Sequence, residues 1–110
     1  MALKHACHDE VIDPYAGIDE QGIGVSASLL RTPHLQLMRL VLKAGATLRE
    51  HRVRGEITVQ CLRGEVDVST PERECSLEAG QLVVVPGGEP HAVTARSDCL
   101  LLLTVVHGIT

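Results

Sequence analysis

Aromatic residues are almost missing from this chain: Tyr15 is the only one, with no Phe and no Trp. A cavity in such a protein has aliphatic walls, which suit a small ligand held by fit and a few polar groups better than an aromatic one stacked on a ring. The same lack removes stacking platforms for nucleic-acid bases. A basic excess is missing too. Ten Lys and Arg stand against 14 Asp and Glu, a net charge of -4, with no basic run to form a footprint for nucleic acid or an anionic membrane. No stretch approaches the roughly 18 uncharged apolar residues of a membrane-spanning helix, and Lys4, Asp9 and Glu10 stand where a secretory signal has its apolar core. These absences lead to the expectation of a cytoplasmic protein with no nucleic-acid or membrane partner. Cysteine is present but modest: Cys7, Cys61, Cys75 and Cys99. A chain of 110 residues can bury one core without cross-links, and the cytosol keeps thiols reduced, so four free thiols are expected.

What the chain does have is a series of short strand signals. They run over Val25–Leu30, Leu35–Leu42, Glu56–Leu62, Glu65–Ser69, Gln81–Val85, His91–Ala95 and Cys99–Val106, each bounded by turn residues such as Arg63-Gly64 and Pro86-Gly87-Gly88. No window holds a helical period long enough to compete. Many short, evenly spaced strands predict an all-β barrel or sandwich in a single domain. Ile57, Val59 and Cys61 alternate with Glu56, Thr58 and Gln60, which predicts that the first set faces the core. Val66 and Val68 alternate with Glu65 and Asp67 in the same way. By contrast, Leu35–Leu42 and Cys99–Val106 are apolar on nearly both faces and need cover on both sides; a second subunit is the natural cover, so a homodimer is expected. The segment before Val25, with Pro14, Gly17, Gly22 and Gly24, reads as an irregular N-terminal arm over residues 1–24, ahead of a barrel over residues 25–110.

The most informative pattern is Gly80, five residues, Pro86, one residue, Gly88, two residues, His91. At the chain's own composition its chance occurrence is roughly 0.2%, so it reads as a device for delivering one imidazole to a fixed place. A companion lies upstream: Gly45, five residues, His51, then Glu56, then Gly64. Together these resemble the two motifs of the cupin superfamily, Gly-x5-His-x-His-x3-4-Glu-x6-Gly and Gly-x5-Pro-x-Gly-x2-His-x3-Asn, and they span Gly45 to Ala95, nearly half the chain. The resemblance implies a double-stranded β-helix, the RmlC-like jelly-roll barrel. Three positions depart from the family pattern: Val53 stands for its second histidine, Ile57 for its glutamate and Ala95 for its asparagine.

In the family these residues look like a mononuclear metal site of three histidines and a glutamate. The resemblance places His51 and His91 opposite each other in the barrel, where two imidazoles alone hold a metal weakly and a third donor is needed. Glu56 is the candidate, one residue out of register. One residue of slip turns a strand side chain to the other face, whereas a bulge at Gly55 would turn it back. With Glu56 inward the site is two histidines and a carboxylate, as in non-heme iron oxygenases; with Glu56 outward the pocket level is apolar, formed by Val53 and Ile57 with Val59 beyond. The expected state is the outward one, with no cofactor or a weakly bound iron, manganese, nickel or zinc ion.

Other chemistry-bearing residues have plainer readings. His5, Cys7 and His8 are metal-ligand types on a mobile arm and read as a solvated tail; His34 and His107 read as surface or interface residues. Cys61 reads as a small core residue. Arg31, Arg39, Arg49, Arg52 and Arg54 crowd the approach to His51 in sequence; one or two could hold an anionic ligand, and the plainer reading is a solvated face. The sequence therefore supports a small-molecule-binding barrel with a degenerate metal site lined by His51, Val53, Ile57, Val59 and His91. The alternative is a metal-dependent oxygenase, decarboxylase or isomerase using His51, His91 and Glu56, and fold alone does not choose between them.

Overall fold

The computed structural model describes residues 5–18, 24–51 and 54–107, with residues 49–51 described by backbone alone. Nine strands follow one another: β1 (Ala27–Arg31), β2 (Leu35–Leu42), β3 (Thr47–His51), β4 (Ile57–Arg63), β5 (Glu65–Ser69), β6 (Glu74–Glu78), β7 (Leu82–Val85), β8 (His91–Ala95) and β9 (Cys99–Val106). They form a five-stranded sheet in the order β1-β2-β9-β4-β7 and a four-stranded sheet in the order β3-β8-β5-β6, all pairings antiparallel. This is an all-β jelly roll, as the cupin resemblance implies, and it agrees with the barrel or sandwich that the strand spacing predicts. No helix among the described residues is long and apolar enough to cross a membrane.

Two strands, β3 and β6, went unread in the sequence. Both are sheet edges, and Thr47-Leu-Arg-Glu-His and Glu74-Cys-Ser-Leu-Glu each carry too few apolar residues to show the alternation that marks a half-buried strand.

The core fills the space between the sheets. Ile57, Val59 and Cys61 are buried to 1%, 0% and 0% exposure, as their alternation predicts, and register carries each inward row across the sheet: Val105, Ile57 and Val85 in one, Leu103, Val59 and Val83 in the next. From the other sheet Val66, Val68, Leu77, Val93 and Ala95 meet them. All four cysteines are free; burial pushes the Cys99 thiol up to about 11, and burial likewise raises Cys61, whose Sγ donates to the carbonyls of Arg63 and Gly64.

The doubly apolar β2 is explained partly by the chain itself. Met38, Leu40 and Leu42 pack on the core, while Arg39, in register with Ala27 and Leu102, faces outward. Arg39 is nevertheless fully buried, which corrects its reading as part of a solvated face near His51. The arm folds over it. Its Nε donates to the Val25 carbonyl at 3.0 Å, and its Nη1 donates to the carbonyls of Pro14 and Ala16. Within the arm the Asp13 carboxylate accepts from the Tyr15 amide at 2.9 Å, and the arm is pinned further by the Tyr15 ring, which lies 5.2 Å from the Arg63 guanidinium.

Candidate functional site

One end of the barrel gathers the turns that follow β3, β5 and β7, and the second motif builds its local geometry. Gly88 has φ of +79°, a conformation that a side chain resists. Beside it, a Cβ at Gly87 would fall on the carbonyl oxygen of Arg54, so only glycine lets this turn lie against the segment leading into β4. The turn delivers His91 into β8 at 1% exposure, with Nδ1 3.5 Å from the Glu89 carbonyl oxygen.

The backbone brings His51 directly across from His91 in the β3–β8 ladder. It does so through a bulge. Leu48 pairs with Val93, so an unbroken ladder would set Glu50 against His91; one extra residue on β3 moves His51 into that place. This bulge lies earlier in the chain than Gly55, where the sequence suggested one, and it shifts the backbone of the histidine rather than that of the carboxylate. The side chain of His51 lies outside the described residues, as do Val53 and Arg52 entirely and the side chain of Arg49.

Glu56 immediately precedes β4. It is exposed, its carbonyl accepts the Val106 amide at 2.8 Å, and the next residue, Ile57, is the one that turns into the core. No group of three or more His, Cys, Asp or Glu gathers to hold a metal among the described residues. The donors among the described residues thus fall short of the three protein ligands a mononuclear site uses.

A cavity of about 410 Å³ opens at this end, along the seam where β6 and β7, the edges of the two sheets, face each other. Val68, Val83, Val85, Pro86 and Cys75 form its walls. Thr70, Glu72, Arg73 and the half-buried Glu89 bring polar groups to it. The β5–β8 pairing ends with Ser69 opposite Ala92, so Thr70 leaves β5 just where His91 enters β8. Of the residues expected to line a pocket, Ile57, Val59 and His91 are buried and are not among these walls; Ile57 is in register with the wall residue Val85 and Val59 with Val83. Thr70, Glu72, Arg73 and Cys75 were not legible in the sequence because they belong to β6, the strand whose polarity hid it, and to the turn before it.

The other candidates serve the arm. His5 Nε2 lies 2.9 Å from Ser28 Oγ, and the Cys7 amide donates to the Glu10 carboxylate at 2.6 Å; that amide holds the Glu10 carboxyl below its ordinary range, while the carboxylate raises the Cys7 thiol. His8 is exposed, and a second cavity of about 320 Å³ lies between this segment and Leu29. The exposed His34 accepts the His107 amide on its carbonyl at 2.8 Å, which ties the end of β9 to the β1–β2 turn.

Comparison with known proteins agrees with the architecture. The cupin domain family matches residues 38–107, more than half of the chain. A conserved protein of unknown function from Streptococcus pyogenes superposes with a TM-score of 0.80 at 25% identity, covering 100% of this chain and 97% of that one. A cupin superfamily protein from Desulfitobacterium hafniense gives 0.72 at 18% identity over 76% of each chain. An RmlC-like cupin protein from Desulfovibrio desulfuricans gives 0.68 at 23% identity, covering 94% of this chain and 95% of that one. No curated protein matches the sequence.

Proposed function

The chain belongs to the cupin family, and from that premise we propose that it is a small-molecule-binding cupin, cytoplasmic, whose motif metal site has lost its carboxylate. The observation that carries this reading is the cavity of about 410 Å³ at the motif end of the barrel, of a size and apolar lining typical of small-ligand sites. A ligand that binds only the folded state raises its stability, by about 2.7 kcal/mol at a hundredfold excess over Kd. A thermal-shift screen of small metabolites is expected to give compounds that stabilise the wild-type protein and lose their effect in Cys75→Leu and Thr70→Leu, which fill the cavity from two sides. Hits that stabilise both variants as well as the wild type would overturn the reading.

One observation favours the metal-dependent enzyme as a second reading: the bulge in β3, which sets His51 opposite His91. Elemental analysis of untagged protein separates the two. The binding reading expects less than one iron, manganese, nickel or zinc ion per chain and no change in Glu56→Ala; one tightly held ion per chain that is lost in Glu56→Ala would make the enzyme the leading reading.

We further propose that the protein is a homodimer. The arm covers Arg39, but the adjoining outer row of Leu37, Thr104, Thr58 and Val84 continues to Leu82 and Val106, which are 52% and 38% exposed. Light scattering at micromolar concentration should give twice the chain mass; a monomer mass would refute this.

A further inference from the structure

The charges around the end cavity are unequal. Two carboxylates, Glu72 and Glu89, and one guanidinium, Arg73, contribute to its lining. Glu72 and Arg73 are exposed on the β5–β6 turn, whereas Glu89 is half-buried between the Pro86 turn and His91. Among the described residues the one ion pair joins Arg96 to Asp67, on the outside of the four-stranded sheet, and no hydrogen bond reaches the Glu89 carboxylate. A carboxylate held beside an apolar wall, with part of its water removed and no ion pair to it among the described residues, favours a cationic partner. The wall itself is branched aliphatic: Val68, Val83 and Val85.

Resting on the reading that this cavity binds a small molecule, we propose that its ligand is an aliphatic ammonium compound, the hydrocarbon lying on the three valines and the ammonium group paired with Glu89. Glu72 adds a longer-range attraction from the rim. Arg73, on the same rim, would accommodate a second, anionic group at the far end of the ligand, as in a zwitterion.

Three five-carbon probes of one shape test the class: isopentylamine, isopentanol and isovalerate, titrated into the full-length protein with its valine methyls followed by NMR. Isopentylamine is expected to bind at least about tenfold more tightly than isopentanol, and isovalerate more weakly than both. In Glu89→Gln, an isosteric change, the preference for the amine over the alcohol disappears while the alcohol affinity stays within about twofold. In Glu72→Gln, on the exposed turn, the preference falls only by about two- to threefold. Equal affinities for amine and alcohol, or an amine preference that survives Glu89→Gln, would overturn the ligand class and leave the binding cavity standing. If none of the three probes shifts the methyls of Val68, Val83 and Val85, the cavity reading itself fails and the ligand class falls with it.

Discussion

The two ends of the barrel are built on opposite plans. At the end where β2, β4 and β8 hand on to the next strand, the turns are bonded to one another. The Gly45 amide donates to the Ala95 carbonyl, the Ala95 amide to Ala46, the Ala44 amide to the Asp98 carboxylate and the Glu65 amide to Ser97 Oγ, all at 2.8–3.0 Å. At the other end the turn at Thr70–Arg73 and the turn at Pro86–Glu89 bond within themselves, and no hydrogen bond joins these two turns among the described residues. A barrel end that satisfies its polar groups across turns is closed and rigid; one whose turns are self-contained can leave a cavity between them and admit a ligand. The histidine of the second motif, the bulge in β3 and the cavity all fall at the second end.

The comparison is broken most easily at the tied end. Gly64 has φ of +82°, and a Cβ there would fall on the Asp98 carbonyl oxygen, so Gly64→Ala should lower stability by about 3 kcal/mol in urea unfolding. A cost under about 1 kcal/mol would show that this end is not rigid. Thr70→Ala, at the open end, removes hydroxyl contacts confined to its own turn and should cost less than about 1 kcal/mol.

Next in size is the pH response of Cys99, also at the tied end. Its folded pKa is raised from 9.0 to about 11, so the unfolded chain ionises first as pH rises. The stabilising contribution is intact below pH 9.0 and lost as pH climbs towards about 11. A loss on the order of 2 kcal/mol is expected over that window, and Cys99→Ala should flatten the alkaline limb. An unchanged limb in the variant would assign the loss to other groups.

The smallest effect should come from Glu56→Ala, within about 0.5 kcal/mol of wild type, because the side chain is exposed and only its backbone carbonyl is engaged. A larger loss in thermal unfolding would mean that the carboxylate has a partner at the open end.

What was legible in the sequence divides along physical lines. The motif turns were legible because glycine and proline state backbone requirements directly: Gly88 has positive φ and His91 is buried, as the spacing predicts. The core of β4 was legible because alternation reports a half-buried strand. The bulge before His51 was not, since a one-residue insertion in a ladder leaves no mark in residue types that are polar on both sides, Arg49 and Glu50. Nor was the burial of Arg39, whose cover comes from carbonyls at Pro14 and Ala16, 25 and 23 residues away in the chain. A contact supplied by distant backbone has no signature in the side chains it uses.

The stacking of Tyr15 on Arg63 has an optical consequence. As the chain holds one tyrosine and no tryptophan, its near-ultraviolet absorption, fluorescence and circular dichroism all come from a ring on the arm. The far-ultraviolet signal comes from the two sheets. The protein thus carries two separate spectroscopic reporters without any label. Superimposable unfolding curves from the two would make arm and barrel a single cooperative unit, and an earlier tyrosine transition would give the undocking equilibrium of the arm by itself.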